Sequence, residues 1–298
     1  MNTAIRIHSA PRNPFRPGMG LEPPYLADRG EQLERFGRFL EGFPEFPRNV
    51  RLTGLRGVGK TVLLQRHADV AMERGWVVVR REWSEHLRQE RAFALALVGD
   101  CRLATEQAAR TKRLQRTATS AIRQALDLLG SLSVSLAGIT VVLGSPAQHR
   151  GPMPLLEDQL FEALTSACRG VTAAGSQGIV LCYDEAHVVR DSPGRLQLPL
   201  STLLAVTARI QREGVPIMLV VCGLPTLTEN LARAKSYSER MFQAEELDRL
   251  RPPEDALALT RPLDDPGRPP APALARPRPE GSRGHALPLR FPPPPPRG

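Results

Sequence analysis

The chain has 298 residues, 41% of them hydrophobic, and a formal net charge of +9. That length and apolar content suit one large α/β domain with a small appendage and exclude a chain too polar to bury a core. The positive charge is almost entirely Arg, with Lys only at Lys60, Lys112 and Lys235. Arg spread through an Ala-, Pro- and Gly-rich chain reflects the coding bias of a GC-rich genome, not a concentrated patch that steers nucleic acid.

Residues 1–24 are rich in Pro and Arg without periodicity and read as an extended arm, and residues 1–17 contain no apolar stretch of signal-peptide length. Asp28 followed by Glu31 marks a capped helix start, with Leu33, Phe36 and Leu40 on one face and Gly42 at its end. Residues 49–53 read as a short strand, 54–59 as a glycine-rich turn, and 60–74 as a helix with Gly75 in the C′ place. The Val-Val-Val run of residues 76–80 predicts a second strand, buried on both faces.

An Ala-, Leu- and Arg-rich helical region covers 84–129, broken near Gly99. Residues 128–147 then carry no charge, and Leu132, Val134 and Leu136 alternate with Ser131, Ser133 and Ser135 before Ala137-Gly138 and Ile139, Val141 and Val142. Alternation interrupted by a turn predicts a β-hairpin rather than a membrane span, which needs ~20 mostly apolar residues. After a Pro-rich link come a helix over 155–174, an apolar strand over 178–183, a helix over 198–213 and an apolar strand over 216–222. A helix over 226–241, opened by Thr226 and Glu229 as a capping box, and a fifth strand over 242–247 complete the series. Uniformly apolar strands alternating with helices predict an α/β fold with a parallel sheet covered on both faces.

Beyond residue 265 the chain is dominated by Pro, Arg, Ala and Gly, with Phe291 and five prolines just before the final Arg297 and Gly298. Such a composition does not bury a core, so residues 266–298 read as a disordered tail, either a natural one or the product of a frameshift or truncation. The four cysteines, Cys101, Cys168, Cys182 and Cys222, form no C-x-x-C pair and have no His cluster at zinc spacing. A reduced cytoplasm fits them.

Two motifs carry the chemistry. Gly54, Leu55, Arg56, Gly57, Val58, Gly59, Lys60 and Thr61 match the phosphate-loop pattern G-x-x-x-x-G-K-[ST], the Walker A motif, between a predicted strand and a predicted helix. Glycines let backbone N–H groups turn around a β-phosphate, and the helix N-terminus adds its dipole. Lys60 reaches the β- and γ-phosphates and the Thr61 hydroxyl takes a place on Mg²⁺. The second motif, Walker B, is the apolar strand that delivers Asp184 and Glu185 at its C-terminal tip, where open α/β sheets bind ligands. Asp184 then holds Mg²⁺ and Glu185 acts as general base toward the attacking water. ATP with Mg²⁺ is the ligand these residues imply. The run Asp184-Glu185-Ala186-His187 also spells a helicase class, but that class needs a second RecA-like domain and further motifs, so His187 reads as a local hydrogen-bonding residue.

With these residues the chain resembles the AAA+ ATPases, in the origin-recognition-like branch and the related bacterial AAA-family ATP-binding proteins. The likeness covers about residues 13–267 and rests on Pro24-Tyr25-Leu26-Ala27-Asp28-Arg29, the phosphate loop, the acid pair, and Cys222-Gly223-Leu224-Pro225 after the fourth strand. It implies strand order 5-1-4-3-2, a core over 25–250 with a helical and hairpin insert at about 84–154, and a lid after the core. It also implies that Tyr25, Leu26 and Arg29 flank the adenine and that Arg240 serves as an arginine finger. Two departures stand out: Cys222-Gly223 lacks the polar sensor expected at the strand tip, and the lid is reduced to a remnant at 251–265. The resemblance implies an ATPase that acts as a nucleotide-dependent switch on a protein or DNA partner, in a homo-oligomer or alone and away from membranes; the two departures lower the turnover expected of it. The alternatives are an ATP-binding scaffold with little hydrolysis and a STAND-type signalling NTPase.

Overall fold

In the computed structural model the described residues are 29–111, 116–137, 155–250 and 252–261. The chain divides into two compact units, one spanning Arg29–Leu247 and the other made of residues 1–28 and 248–298. The second unit contributes one described helix, Glu254–Thr260.

The first unit is built on a parallel sheet of β1 (Asn49–Gly54), β2 (Val77–Glu82), β3 (Ile179–Asp184), β4 (Ile217–Gly223) and β5 (Phe242–Leu247). Their order is β2-β3-β4-β1-β5, the order the family resemblance implies, and every pairing is parallel. The period-2 alternation of the strands sorts their side chains into two cores. Ile179, Leu181 and Tyr183 of β3 and Ile217, Leu219 and Val221 of β4 face one; Val180 and Cys182, with Met218, Val220 and Cys222, face the other. The second core is closed by α1 (Gly30–Glu41) and α2 (Lys60–Glu73) through Phe36, Leu40, Leu63 and Leu64. The first is closed by α3 (Glu90–Thr111), α4 (Arg116–Ala137), α5 (Leu156–Ala173), α6 (Pro199–Arg212) and α7 (Thr226–Ala234).

Two polar locks fix the frame. At the start of β1 the Asn49 and Gln211 amides exchange hydrogen bonds of 3.1 and 2.9 Å, and Leu219 N donates to Asn49 Oδ1 at 2.8 Å. On β2, Arg81 Nε donates to both oxygens of buried Asp100 on α3 at 2.9 and 3.1 Å, and Tyr183 donates its hydroxyl to the same carboxylate at 3.1 Å. Charge-assisted bonds of this kind tie α3 to the edge of the sheet.

Five expectations need correction. The capping box read from Asp28 and Glu31 does not form: Arg29 is the N-cap residue of α1 and no side chain caps that helix. The predicted first hairpin strand is the last part of α4, and its second strand lies outside the described residues. The alternation there runs over only a few residues, whereas buried Ile122, Ala125 and Leu129 set a helical stripe upstream that propagates. Ser131 is accommodated by donating its hydroxyl back to Leu128 O at 2.8 Å. The break at Gly99 is absent: α3 runs through it, because a lone glycine costs only ~1 kcal/mol against a face of buried Ala94, Leu97, Val98 and Cys101. The helix predicted over 226–241 is split into α7 and a short α8 (Ser238–Met241); Thr226 makes no cap, since Pro225 is the N-cap residue, and Glu229 pairs instead with Arg233 at 2.6 Å. Finally, β2 is buried only over Val77–Val79, because it is an edge strand with Arg80 exposed. No described helix is long and apolar enough to cross a membrane.

Candidate functional site

The loop from Gly54 to Lys60 leaves the C-terminal tip of β1. Gly57 and Gly59 have φ of +81° and +91°, a left-handed region that β-carbon sterics disfavour, and Gly59 in that conformation is the N-cap of α2. No side chain caps α2 and its first turn holds no acid, so its N-terminal N–H groups and the positive dipole end are left for an anion. Lys60 is only 8% exposed, and its ammonium donates to Leu55 O at 2.7 Å, which holds the lysine over its own loop. Leu55, Arg56 and Gly57 are exposed, and Val58 packs on the second core.

β4 lies between β1 and β3, so its tip, Cys222-Gly223, stands between the phosphate loop and the acid pair. Thr61 Oγ1 donates to Asp184 Oδ2 at 2.7 Å, a side-chain bond between residues 123 apart in sequence. The other carboxylate oxygen accepts from Glu185 N at 2.8 Å. The Cys222 thiol, buried beside Asp184, is pushed far up by burial and then by that carboxylate, so it stays a neutral thiol.

Glu185 follows in the left-handed region, φ 52° and ψ 27°, a conformation that costs a non-glycine residue about 1 kcal/mol. Its side chain is 39% exposed and its carboxylate lies 3.6 Å from His187 Nε2. Val188 N donates to Glu185 O at 3.0 Å, closing a one-turn 3₁₀ helix over Ala186–Val188. Asn230 on α7 holds that turn by donating to the carbonyls of His187 and Val189 at 3.1 and 3.4 Å.

The structure thus brings Gly54, Leu55, Arg56, Gly57, Val58, Gly59, Lys60, Thr61, Asp184 and Glu185 to one end of the sheet. Arg240 is not with them. In the parallel β1–β5 ladder Asn49 pairs with Phe242 and Gly54 with Leu247, so Arg240, just before β5, sits at the opposite end. There it lines an open groove of about 660 Å³ with Tyr237, Gln211 and Arg212. Arg29 is buried at the N-cap of α1, and its charge acts on Glu245 of β5. Tyr25 and Leu26 lie outside the described residues. Sequence reasoning gave His187 a local hydrogen-bonding role and read Cys222-Gly223 as a weak sensor; the contacts of Cys222 with Asp184 and of His187 with Gly223 come only from the packing of the strand tips.

Hydroxyl and carboxylate oxygens at Thr61 and Asp184 are the hard donors that Mg²⁺ prefers, so this pair fits that ion. No group of three or more His, Cys, Asp or Glu gathers among the described residues, as a self-sufficient protein cage for a metal would require. Mg²⁺ held with substrate phosphates needs only one or two protein donors.

Residues 25–220 match the AAA ATPase domain family. No curated protein matches the chain. Among solved structures it is similar to the Orc1 protein of Aeropyrum pernix in complex with DNA, at 18% identity and a TM-score of 0.43, over 80% of this chain and 50% of that one. It is likewise similar to the Orc2 protein of the same organism in ADPNP–ADP complexes, at 18% identity and a TM-score of 0.45, over 82% of this chain and 54% of that one. The chain spans about half the length of these solved chains.

Proposed function

The chain belongs to the AAA ATPase domain family, and from that premise we propose that it binds Mg·ATP at the tips of β1 and β3 and hydrolyses it slowly to switch contacts with a partner. The observation that carries this reading is the 2.7 Å bond from Thr61 to Asp184, beside a buried Lys60 and an uncapped helix N-terminus. Backbone N–H groups of the loop bind the β-phosphate, and Lys60 exchanges the Leu55 carbonyl for phosphate oxygens. Thr61 and Asp184 hold Mg²⁺, which when bound neutralises charge on the phosphates. Glu185 orients water and accepts its proton as general base, with its backbone turn stiffened by Asn230.

The partner is a protein, DNA, or a further copy of the chain, in which case Arg240 would serve a neighbouring subunit's site. The four cysteines are buried and unpaired, in keeping with a reducing cytoplasm. The Cys222-Gly223 tip offers no strongly polar side chain, an observation that favours a second reading, an ATP-binding scaffold of little turnover. Steady-state ATP hydrolysis with and without DNA, beside Glu185→Gln, separates the two. Wild-type turnover above the Glu185→Gln background, under ~1 s⁻¹ against the ~10 s⁻¹ of typical enzymes, supports the switch. Turnover equal to that background in every condition leaves only the scaffold.

A further inference from the structure

The tip of β4, read from sequence as a missing sensor, has a specific neighbour. A β-carbon built on Gly223 would stand 3.0 Å from His187 N, 3.1 Å from His187 Nδ1 and 3.2 Å from His187 Cβ. The imidazole therefore lies in the notch that glycine leaves at the tip of β4, beside the strand that carries both acids. Its side chain is 12% exposed, and Nδ1 is buried without a hydrogen-bond partner among the described residues. Nε2 faces Glu185 Oε2 at 3.6 Å. Asn230 fixes the His187 backbone from α7.

We propose that His187 is a positioning residue for Glu185: its ring fills the notch over Gly223 and directs Nε2–H at the carboxylate, taking the place of the polar side chain that the strand tip lacks. The inference rests on the reading of Glu185 as general base. A ring that merely filled space would have no need to turn a nitrogen toward the one carboxylate whose orientation matters. Glu185 needs such help, because its left-handed backbone and half-exposed side chain leave the carboxylate with few constraints of its own. At 3.6 Å the contact is longer than a made hydrogen bond, and contacts of this kind tighten when the substrate is bound. The glycine is part of the device, since a β-carbon at position 223 would crowd the His187 backbone nitrogen, ring and Cβ.

The test measures ATP turnover and ATP affinity for the full chain and for His187→Ala, His187→Gln, Gly223→Ala and Glu185→Gln, with thermal melting as the check on folding. His187→Ala is expected to lower kcat about 10- to 100-fold, the usual effect of removing a partner that orients a functional group, with ATP affinity within about twofold of wild type. His187→Gln, whose amide reaches the Nε2 position, restores most of kcat. Gly223→Ala, whose added carbon stands against His187 N and Cβ as well as Nδ1, also lowers kcat. If His187→Ala turns over like the wild type while Glu185→Gln falls to background, the ring only fills the notch and the proposal is overturned. Equal losses of affinity and turnover, or no rescue by Gln, overturn it as well. Should His187→Ala melt too early to assay, His187→Phe, which keeps a ring but no nitrogen, decides: reduced kcat with intact affinity supports the proposal and unchanged kcat overturns it. Wild-type turnover in Glu185→Gln removes the general-base reading itself, and this inference with it.

Discussion

At the tips of β1 and β3 the buried ammonium of Lys60 rests on the Leu55 carbonyl and both Asp184 oxygens accept hydrogen bonds, whereas midway along β5 a second polar cluster is buried with almost none. There His67 of α2 and Glu245 face each other at 3.8 Å beneath α1, with the Phe36 ring 4.3 Å from the imidazole. Neither nitrogen of His67 and neither oxygen of Glu245 has a hydrogen-bond partner among the described residues. The difference is chemical. At the tips, a backbone carbonyl meets the ammonium, and a hydroxyl and a backbone N–H meet the carboxylate. Under α1, burial dominates and both groups are driven neutral: the imidazole is lowered to about 3, opposed only by the Gln32 backbone. The Glu245 carboxyl is raised to about 7 despite Arg35 and Arg29 nearby.

The sharpest way to break this contrast is at the tips. Glu185→Gln is expected to bind ATP like the wild type and to lose ~10²–10⁴-fold in turnover, because it removes only the proposed general base. Asp184→Asn should lose both turnover and Mg·ATP affinity, since it also disturbs the Thr61 pair. Calorimetric titration beside a turnover assay checks the pair of outcomes; equal ATP affinities in the two variants would contradict the division of roles.

Lys60→Ala should weaken ATP binding by about 2 kcal/mol, roughly 30-fold, the size of one charge-assisted phosphate contact. A titration that finds unchanged affinity places the nucleotide elsewhere.

The cluster under α1 predicts a smaller, pH-dependent effect. Glu245, raised from 4.5 to about 7, contributes stability that is full below pH 4.5 and lost as pH rises through about 7. His67, lowered from 6.5 to about 3, contributes stability that is full above pH 6.5 and lost as pH falls toward about 3. Between pH 4.5 and 6.5 the two slopes oppose each other, and the pair leaves stability nearly level. Glu245→Gln unmasks the histidine: relative to wild type, unfolding free energy should fall on acidification across that window by about 1.4 kcal/mol per pH unit at most. His67→Gln should reverse the sign. Parallel pH profiles for wild type and both variants, from denaturant melts, would show that the pair is not coupled to folding.

Much of the fold was legible because its signals are local. Continuous apolar runs ending in Asp184 or in Cys222-Gly223 identify strands buried on both faces, and the glycine, lysine and threonine of the loop identify a strand-to-helix turn. The insert was less legible. Ser-Leu alternation after residue 130 has strand period, yet those residues extend a helix whose buried stripe begins at Ile122. Helix capping was misread at Thr226, where a proline one residue earlier takes the N-cap place.

Residue types and spacing alone determined the phosphate loop, the acid pair and the alternation of strand and helix, since each depends on neighbours within a few positions of the chain. Which residues surround the acids was decided only by tertiary structure. Strand order sets the β4 tip between β1 and β3, and that adjacency brings the Cys222 thiol to Asp184 and opens the notch at Gly223 for His187. The same holds for His67 and Glu245, separated along the chain and brought together where α2 packs on the sheet. Contacts between distant residues depend on how elements pack, and a pattern read along one chain carries the periodicity of each element but not its neighbours.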